Sequence, residues 1–197
     1  MKRITLLLCL LFGVSLCFSR SLQSKQTNPI HPNLSGAWTL SKYEIVYGPM
    51  ESGDIRISMT ISHTEPAIKI KRKLFIDAEE YDQELIFYSD NRGEKNSLGL
   101  TLGEKMESKT NWDKDKLVTR GLIKGEMKLV FDTNAIGGNL QIRNKYTQPV
   151  VEEWELSPDG KTLTNVTTRS AMKLSEGKWA GPGKMEVQTK KVYVRVT

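Results

Sequence analysis

Cysteine and histidine are scarce in this chain of 197 residues. The two cysteines, Cys9 and Cys17, both lie in the first apolar segment. The remainder of the chain therefore has no thiol from which a disulfide could form, and disulfides do not stabilise the domain. The two histidines, His31 and His63, are too few to provide the ligand spacing of a zinc or haem site. We therefore expect no metal and no cofactor.

Long apolar runs are also missing beyond the N-terminus. A positively charged start, Lys2 and Arg3, precedes a short apolar stretch over residues 4–18, and polar residues follow at once. This pattern is typical of a secretory signal peptide and is too short for a comfortable membrane span. We predict a signal peptide over residues 1–19 and a flexible leader over residues 20–33. The protein is then secreted or periplasmic, with no transmembrane span after cleavage.

Lipid anchoring is the alternative fate of this N-terminal segment. The sequence Val14-Ser15-Leu16-Cys17 loosely resembles a bacterial lipobox, in which Cys17 would be lipidated and become the mature N-terminus. Because Leu16 is bulky for the position before such a cysteine, ordinary cleavage is favoured.

The charge balance gives no indication of a polyanionic partner. Lys2, Arg3 and Arg20 account for three of the 29 basic residues, which leaves 26 basic against 23 acidic residues in the rest of the chain. A basic run over residues 69–73 lies on an alternating strand, where such a run is usually a solvated face. We expect no nucleic-acid partner.

Helical periodicity is absent from Leu34 onward, whereas alternation of apolar and polar residues recurs throughout. The clearest strand is Asp54–Ser62, and a second alternating strand follows Pro66, so the two segments are interpreted as a hairpin. One face of this hairpin is apolar apart from Arg72. Its candidate core and ligand-lining residues are Ile55, Ile57, Met59, Ile61, Ile68, Ile70 and Leu74.

Nine further strands complete an all-β domain over residues 34–197. They are predicted at Ser35–Ile45, Gln83–Tyr88, Lys105–Trp112, Lys116–Ile123, Met127–Phe131, Leu140–Tyr146, Val151–Leu156, Thr162–Met172 and Met185–Val196. Short connections rich in turn-forming residues, such as Ser157-Pro158-Asp159-Gly160, join them. Strands in this arrangement are antiparallel, and the sheet loses its exposed edges by closing into an up-and-down barrel. A two-sheet sandwich is the alternative.

Four segments give the chain a family resemblance. They are Asn33–Leu40, which contains Gly36 and Trp38, then Lys109–Asp113, Glu153–Leu163 and Val192–Arg195. Together they resemble a group of secreted bacterial lipocalin-like (calycin-type) proteins of no settled function. The resemblance implies that Trp38 plugs one end of a barrel and that Arg195 lies across its indole, with Gly36, Trp38 and Arg195 closing the barrel. The alternative is that Arg195 points into solvent.

Catalytic machinery is not predicted. His63 lies beside a turn, and no Gly-x-Ser-x-Gly motif is present to supply a nucleophile. Glu153 and Glu155 share one face of a strand, but the other face carries Trp154 and Leu156, so the two carboxylates are expected in solvent. We expect a protein that is not an enzyme.

Two functional hypotheses follow. In the first, the apolar hairpin face lines a barrel that holds a small hydrophobic ligand. In the second, the barrel is filled and the protein binds an envelope protein through loops at residues 47–53 or 174–183. Trp179 in the latter loop is then a surface anchor, unless it folds back to cap the barrel.

Overall fold

Alternating sequences form antiparallel strands in every part of the chain that the structure describes. The computed structural model describes residues 31–48, 54–77, 79–99, 103–133, 138–174 and 186–196, with side chains except over 127–143. The strands are β1 (Gly36–Tyr47), β2 (Ile55–Thr64), β3 (Ala67–Ile76), β4 (Glu79–Tyr88), β5 (Glu94–Ser97), β6 (Lys105–Asp113), β7 (Lys116–Thr133), β8 (Gly138–Leu156), β9 (Thr162–Arg169), β10 (Lys173–Leu174) and β11 (Val187–Arg195). Within these ranges no helix has the length and apolar character needed to cross a membrane.

The strands form one sheet in the order β4-β3-β2-β1-β11-β9-β8-β7-β6-β5, with β10 paired to β8. Chain neighbours are sheet neighbours along most of this path, and the first strand pairs with the last. The predicted all-β, up-and-down antiparallel barrel is therefore confirmed, as one nearly closed sheet rather than a sandwich. Its architecture is compatible with a lipocalin-like fold.

Two pairs of neighbouring predicted strands each merge into one strand. Lys116–Ile123 and Met127–Phe131 belong to the single strand β7, and Leu140–Tyr146 and Val151–Leu156 belong to β8. Pro149 is tolerated inside β8 because it lies where the neighbouring strand changes from β10 to β9. Its carbonyl accepts a bond from the Ser170 amide at 3.0 Å on that side, and its missing N–H breaks no ladder there.

Strand β5 was missed because its inward side chains are polar. Glu94 and Asn96 alternate inward, and both are buried, while Lys95 and Ser97 are exposed. An alternation that places an acid and an amide inside is the inverse of the usual strand pattern.

Among the described strands the ladder is broken between β4 and β5, where side chains replace it. Asn96 accepts a bond from the Ile86 amide at 2.8 Å and donates to the Ile86 carbonyl at 2.9 Å, as a neighbouring strand would. Glu94 accepts from the Tyr88 amide at 3.4 Å, and Gln83 of β4 donates to the carbonyl of Leu98. We call this side-chain closure the β4–β5 seam.

The core of the barrel draws its residues from early, middle and late strands. Trp38, Phe87, Trp154 and Tyr193 are among the largest fully buried side chains.

The predicted signal peptide and residues 20–30 of the predicted leader lie outside the described residues. His31, at the end of that leader, stacks on Trp112 with ring centroids 4.7 Å apart.

Candidate functional site

A cleft opens where β1 and β2 separate. Their pairing ends at Thr39 and Ser58, after which β1 continues along β11 while β2 continues along β3. The cleft has a volume of about 430 Å³ and is lined by Thr39, Leu40, Arg56, Ile57, Ser58, Lys73, Leu74, Phe75 and Glu80. This volume lies within the range of small-molecule sites.

The apolar wall beside this cleft is the hairpin face that the sequence predicts. Ile57, Met59, Ile61, Ile68, Ile70 and Leu74 are buried, and Ile55 packs against them while partly buried. Directly paired residues such as Ile57 with Leu74 face the interior together. Leu85 and Phe87 of β4 extend the wall. Ile57 and Leu74 belong both to this apolar wall and to the cleft.

Arg72 interrupts the apolar wall. It occupies a cross-strand row of Trp38, Met59, Arg72 and Gln83, of which the other three are buried. Its Nε donates to the side-chain oxygen of Gln83. The row therefore places a guanidinium on the otherwise apolar inner face of the β2–β3 hairpin.

The opposite wall carries three buried polar atoms for which the described chain supplies no hydrogen-bond partner. They are Trp154 Nε1 on β8, Asn165 Nδ2 on β9 and the Tyr193 hydroxyl on β11. Their residues are only 1%, 2% and 0% exposed. Asn165 uses its carbonyl oxygen to accept from Thr167 Oγ1 at 3.0 Å, but its amide group has no acceptor. We call these residues the polar triad.

The members of the polar triad are neighbours. Trp154 pairs with Asn165 across β8 and β9, and its ring stacks on Tyr193 at a centroid distance of 6.1 Å. Tyr193 pairs with Leu40, which lines the cleft. One member of the polar triad, Tyr193, is therefore the register partner of a residue that lines the cleft.

Burial and two charged residues shift the pKa of the Tyr193 hydroxyl. Burial raises the pKa of Tyr193 far above its ordinary value, so the group stays protonated and can donate. Arg72 lowers this pKa and Glu152 raises it, with Arg72 the stronger of the two. Glu152 lies on β8 between the register partners Thr119 and Thr167, both of which are buried.

A second polar cluster inside the barrel is linked by hydrogen bonds among its own residues. The carboxylate of Glu94 accepts from Ser108 Oγ at 2.8 Å and Thr110 Oγ1 at 2.7 Å, and Thr110 bonds to Thr119 at 2.8 Å. With its other oxygen engaged by the Tyr88 amide, this buried acid is paired on both sides. It has the features of a structural group that holds β4, β5, β6 and β7 together.

The residues predicted to close the barrel lie together at one end. The guanidinium of Arg195 sits 4.4 Å from the ring centroid of Trp38 and donates to the carbonyls of Ser35 at 2.8 Å and Gly160 at 2.9 Å. Gly36 has a φ of 147°, and a Cβ there would lie 2.5 Å from Arg195 Nη1. Only glycine therefore leaves room for this arrangement.

His63 has both ring nitrogens engaged. The Leu34 amide donates to Nδ1 at 3.2 Å, and Nε2 bonds to Glu65 at 2.9 Å. Glu65 also accepts from Trp112 Nε1 at 2.7 Å and from Ser89. The ring therefore holds a turn in place and presents no free nitrogen to a reacting group.

Other candidate residues do not join a site. Glu153 and Glu155 face outward and pair with Lys116 at 3.8 and 3.2 Å. Trp179 and most of its loop lie outside the described residues, as do residues 49–53. In the part of the chain that the structure covers, no group of three His, Cys, Asp or Glu side chains could hold a metal ion.

Comparisons with protein-family models, curated proteins and solved structures found no match. The site is therefore interpreted from its own residues alone.

Sequence reasoning missed the polar triad. Trp154 is identifiable as a core residue, but alternation does not show that its indole N–H has no acceptor. Glu152 is two residues from Trp154 on the same strand, so alternation predicts that both face the interior. Glu153 and Glu155 alternate with them and face outward. Arg72, the exception in an apolar alternation, was the one visible signal.

Proposed function

We propose that this chain is a non-enzymatic binding protein whose barrel holds one small, mainly apolar molecule. The observation that carries the proposal is the polar triad, three buried donors for which the described residues supply no partner. In this proposal the protein is a lipocalin-like member of the secreted or periplasmic group that its sequence resembles.

The energetic cost of the polar triad supports a bound molecule. A buried polar group without a partner costs about 1–3 kcal/mol, so three of them are expensive in a domain whose total stability is about 5–15 kcal/mol. A ligand that offers acceptors to Trp154, Asn165 and Tyr193 would recover this cost. The apolar wall of β2 and β3 suits the remainder of such a molecule.

The remaining titratable groups in the interior support a role without catalysis. Both nitrogens of His63 are engaged by Leu34 and Glu65, and the Glu94 carboxylate is paired by hydroxyls and an amide. Neither group is arranged as a base next to a nucleophile. Binding is the function that this geometry supports best.

Native mass spectrometry of the protein purified from its own envelope or culture fraction tests the proposal. We expect a defined adduct that is released on unfolding. A Leu40→Trp variant fills the cleft and should lose the adduct, because Leu40 lines the cleft and lies beside Tyr193. Ile86→Trp is the matched control, since Ile86 lines a different cleft. A bare wild-type chain that also ignores a panel of fluorescent lipids would contradict the proposal.

A cleft on the outer face favours a protein partner as the second candidate function. This cleft, of about 950 Å³, covers the β4–β5 seam and includes Ile86, Tyr88, Lys95, Lys109 and Arg120. Lys109 and Arg120 are directly paired on β6 and β7, and like charges in that position repel each other. An acidic partner would relieve this repulsion. Capture of such a partner by wild type, lost in a Lys109→Glu/Arg120→Glu variant, would support this candidate.

A further inference from the structure

We propose that two copies of this chain associate through the edge of strand β7, where β7 and β8 continue beyond the rest of the sheet. We call residues 125–133 and 138–145 the β7–β8 arm. The contact is antiparallel, and its two-fold axis passes beside Val130. This inference goes beyond the proposed function, because it does not depend on a ligand in the barrel.

The β7–β8 arm extends past the neighbouring strands on both sides. Strand β6 pairs with β7 only as far as Lys124, and β10 pairs with β8 only as far as Tyr146. The chain turns back just before β6, since the Leu98 amide donates to the Glu104 carbonyl at 2.9 Å. Strands β7 and β8 nevertheless stay paired to the end of the arm. At about 3.3 Å per residue, the arm is about 30 Å long.

A two-stranded arm of this length needs a further partner. An isolated hairpin is at best marginally stable in water, and a third strand or a packed face is needed to stabilise it. Among the described strands, none other than β8 pairs with β7 beyond Lys124. The β7 edge therefore presents backbone N–H and C=O groups to which another strand can bond.

Alternation gives the β7–β8 arm one apolar face. Met127, Leu129 and Phe131 occupy the face of β7 that is buried inside the barrel. The register places Leu140 and Ile142 of β8 on the same face. The apolar side of the sheet therefore continues beyond the barrel on both strands of the arm, which is typical of a surface that another chain covers.

The charge pattern of the β7 edge fits a second copy of itself. In an antiparallel pair with a two-fold axis at Val130, Lys128 lies opposite Asp132 of the second copy, and Asp132 lies opposite its Lys128. The same register places Leu129 opposite Phe131 of the second copy, on the apolar face. Opposite charges and apolar residues in directly paired positions both stabilise a sheet. A symmetric contact repeats each pair twice.

The β8 edge of the arm lacks this self-complementarity. Between Gly138 and Lys145 it contains two basic residues, Arg143 and Lys145, and no acidic residue. A second copy would therefore offer it no opposite charge. Unmatched charges of this kind commonly protect an edge from pairing, whereas the one lysine of the β7 edge is matched by Asp132. The β7 edge is therefore the one assigned to the dimer.

Sedimentation velocity of the purified protein over a concentration series tests the inference. We expect a dimer to form by about 100 μM, since so small a contact belongs to the weak class of interfaces. Lys128→Asp and Asp132→Lys each place like charges at both paired positions, so each should weaken the dimer at least about tenfold. Arg143→Asp is the matched control. It reverses a charge opposite Lys128 on β8, away from the β7 edge, and should leave the dimer unchanged.

A mixture of the two single variants separates pairing from folding. Lys128→Asp mixed with Asp132→Lys should form a heterodimer, because opposite charges then face each other at both paired positions. The double variant Lys128→Asp/Asp132→Lys should recover the homodimer for the same reason. An arm that had merely misfolded would give neither result.

Three results would overturn the inference. They are a wild-type chain that is monomeric at every concentration, a dimer that both single variants retain, and single variants that stay monomeric when mixed. A monomer that instead binds vesicles of phosphatidylglycerol would assign the apolar face of the arm to a lipid surface. Because no barrel ligand enters these measurements, the dimer can fail while the proposed binding function stands.

Discussion

The barrel is closed in two different ways at β1–β11 and at the β4–β5 seam. Between β1 and β11 a backbone ladder runs from Trp38–Arg195 to Tyr47–Gln188, interrupted by two irregularities. At the seam, the side chains of Gln83, Glu94 and Asn96 bond to backbone groups across the break. A ladder spreads its bonds over many residues, whereas the seam concentrates them in a few. Single substitutions should therefore damage the seam more than the ladder.

Asn96→Leu should have the largest effect. It removes both bonds to Ile86 and leaves an amide and a carbonyl of β4 without partners, which should lower the free energy of unfolding by about 3 kcal/mol. Urea unfolding measures this loss. Lys95→Ala, on the exposed neighbouring residue, is the control and should change stability little. An unaltered midpoint in Asn96→Leu would show that the seam does not depend on this amide.

Arg195→Lys should have a smaller effect at the other closure. Lysine cannot bond to Ser35 and Gly160 while it covers the Trp38 ring, so we expect a loss of about 1–2 kcal/mol. The backbone ladder remains. Amide hydrogen exchange should therefore still show protected β1 and β11 amides in this variant. Exchange of the whole β1–β11 ladder at the rate of the unfolded chain would contradict the comparison.

Acid should weaken the contacts that join the β2–β3 turn to Ser89 and Trp112, with the smallest of the three effects. Burial raises the pKa of Glu65, but donors from Ser89, Trp112 and His63 together outweigh it, so the pKa lies below its ordinary value of 4.5. A lowered pKa stabilises the fold at higher pH, and this contribution is lost as pH falls through the folded-state value. Wild type should therefore lose more stability below pH 4.5 than Glu65→Gln does. Parallel stability curves for the two proteins would rule out this contribution.

The sequence predicted the apolar half of the interior well and the polar half poorly. Regular alternation from Ile55 to Ile61 identified the buried face of β2, because burial of one face selects apolar residues at every second position. Glu94 and Asn96 are also inward, but only their long-range partners make them tolerable inside. Those partners, such as Ser108 and Ile86, are brought near by the fold and leave no local signal.

In the candidate site, too, the apolar residues could be predicted from the sequence and the polar ones could not. Ile57 and Leu74 were predicted as ligand-lining residues from alternation alone, and the structure places both at the cleft. The polar triad could not be predicted, because an unpaired donor is defined by what surrounds it in three dimensions. Tyr193 and Trp154 appear in the sequence as ordinary aromatic core residues.

The pairing of the first and last strands also sets when this barrel can close during folding. Arg195 donates to the carbonyl of Ser35, 160 residues earlier, so the contact joins almost opposite ends of the described chain. Loop closure over such a separation is entropically costly, and folds dominated by distant pairings form slowly. Until β11 arrives, β1 and β9 each present an open edge that can pair with another chain. The newly made protein is therefore most exposed to aggregation in the interval before its final strand docks.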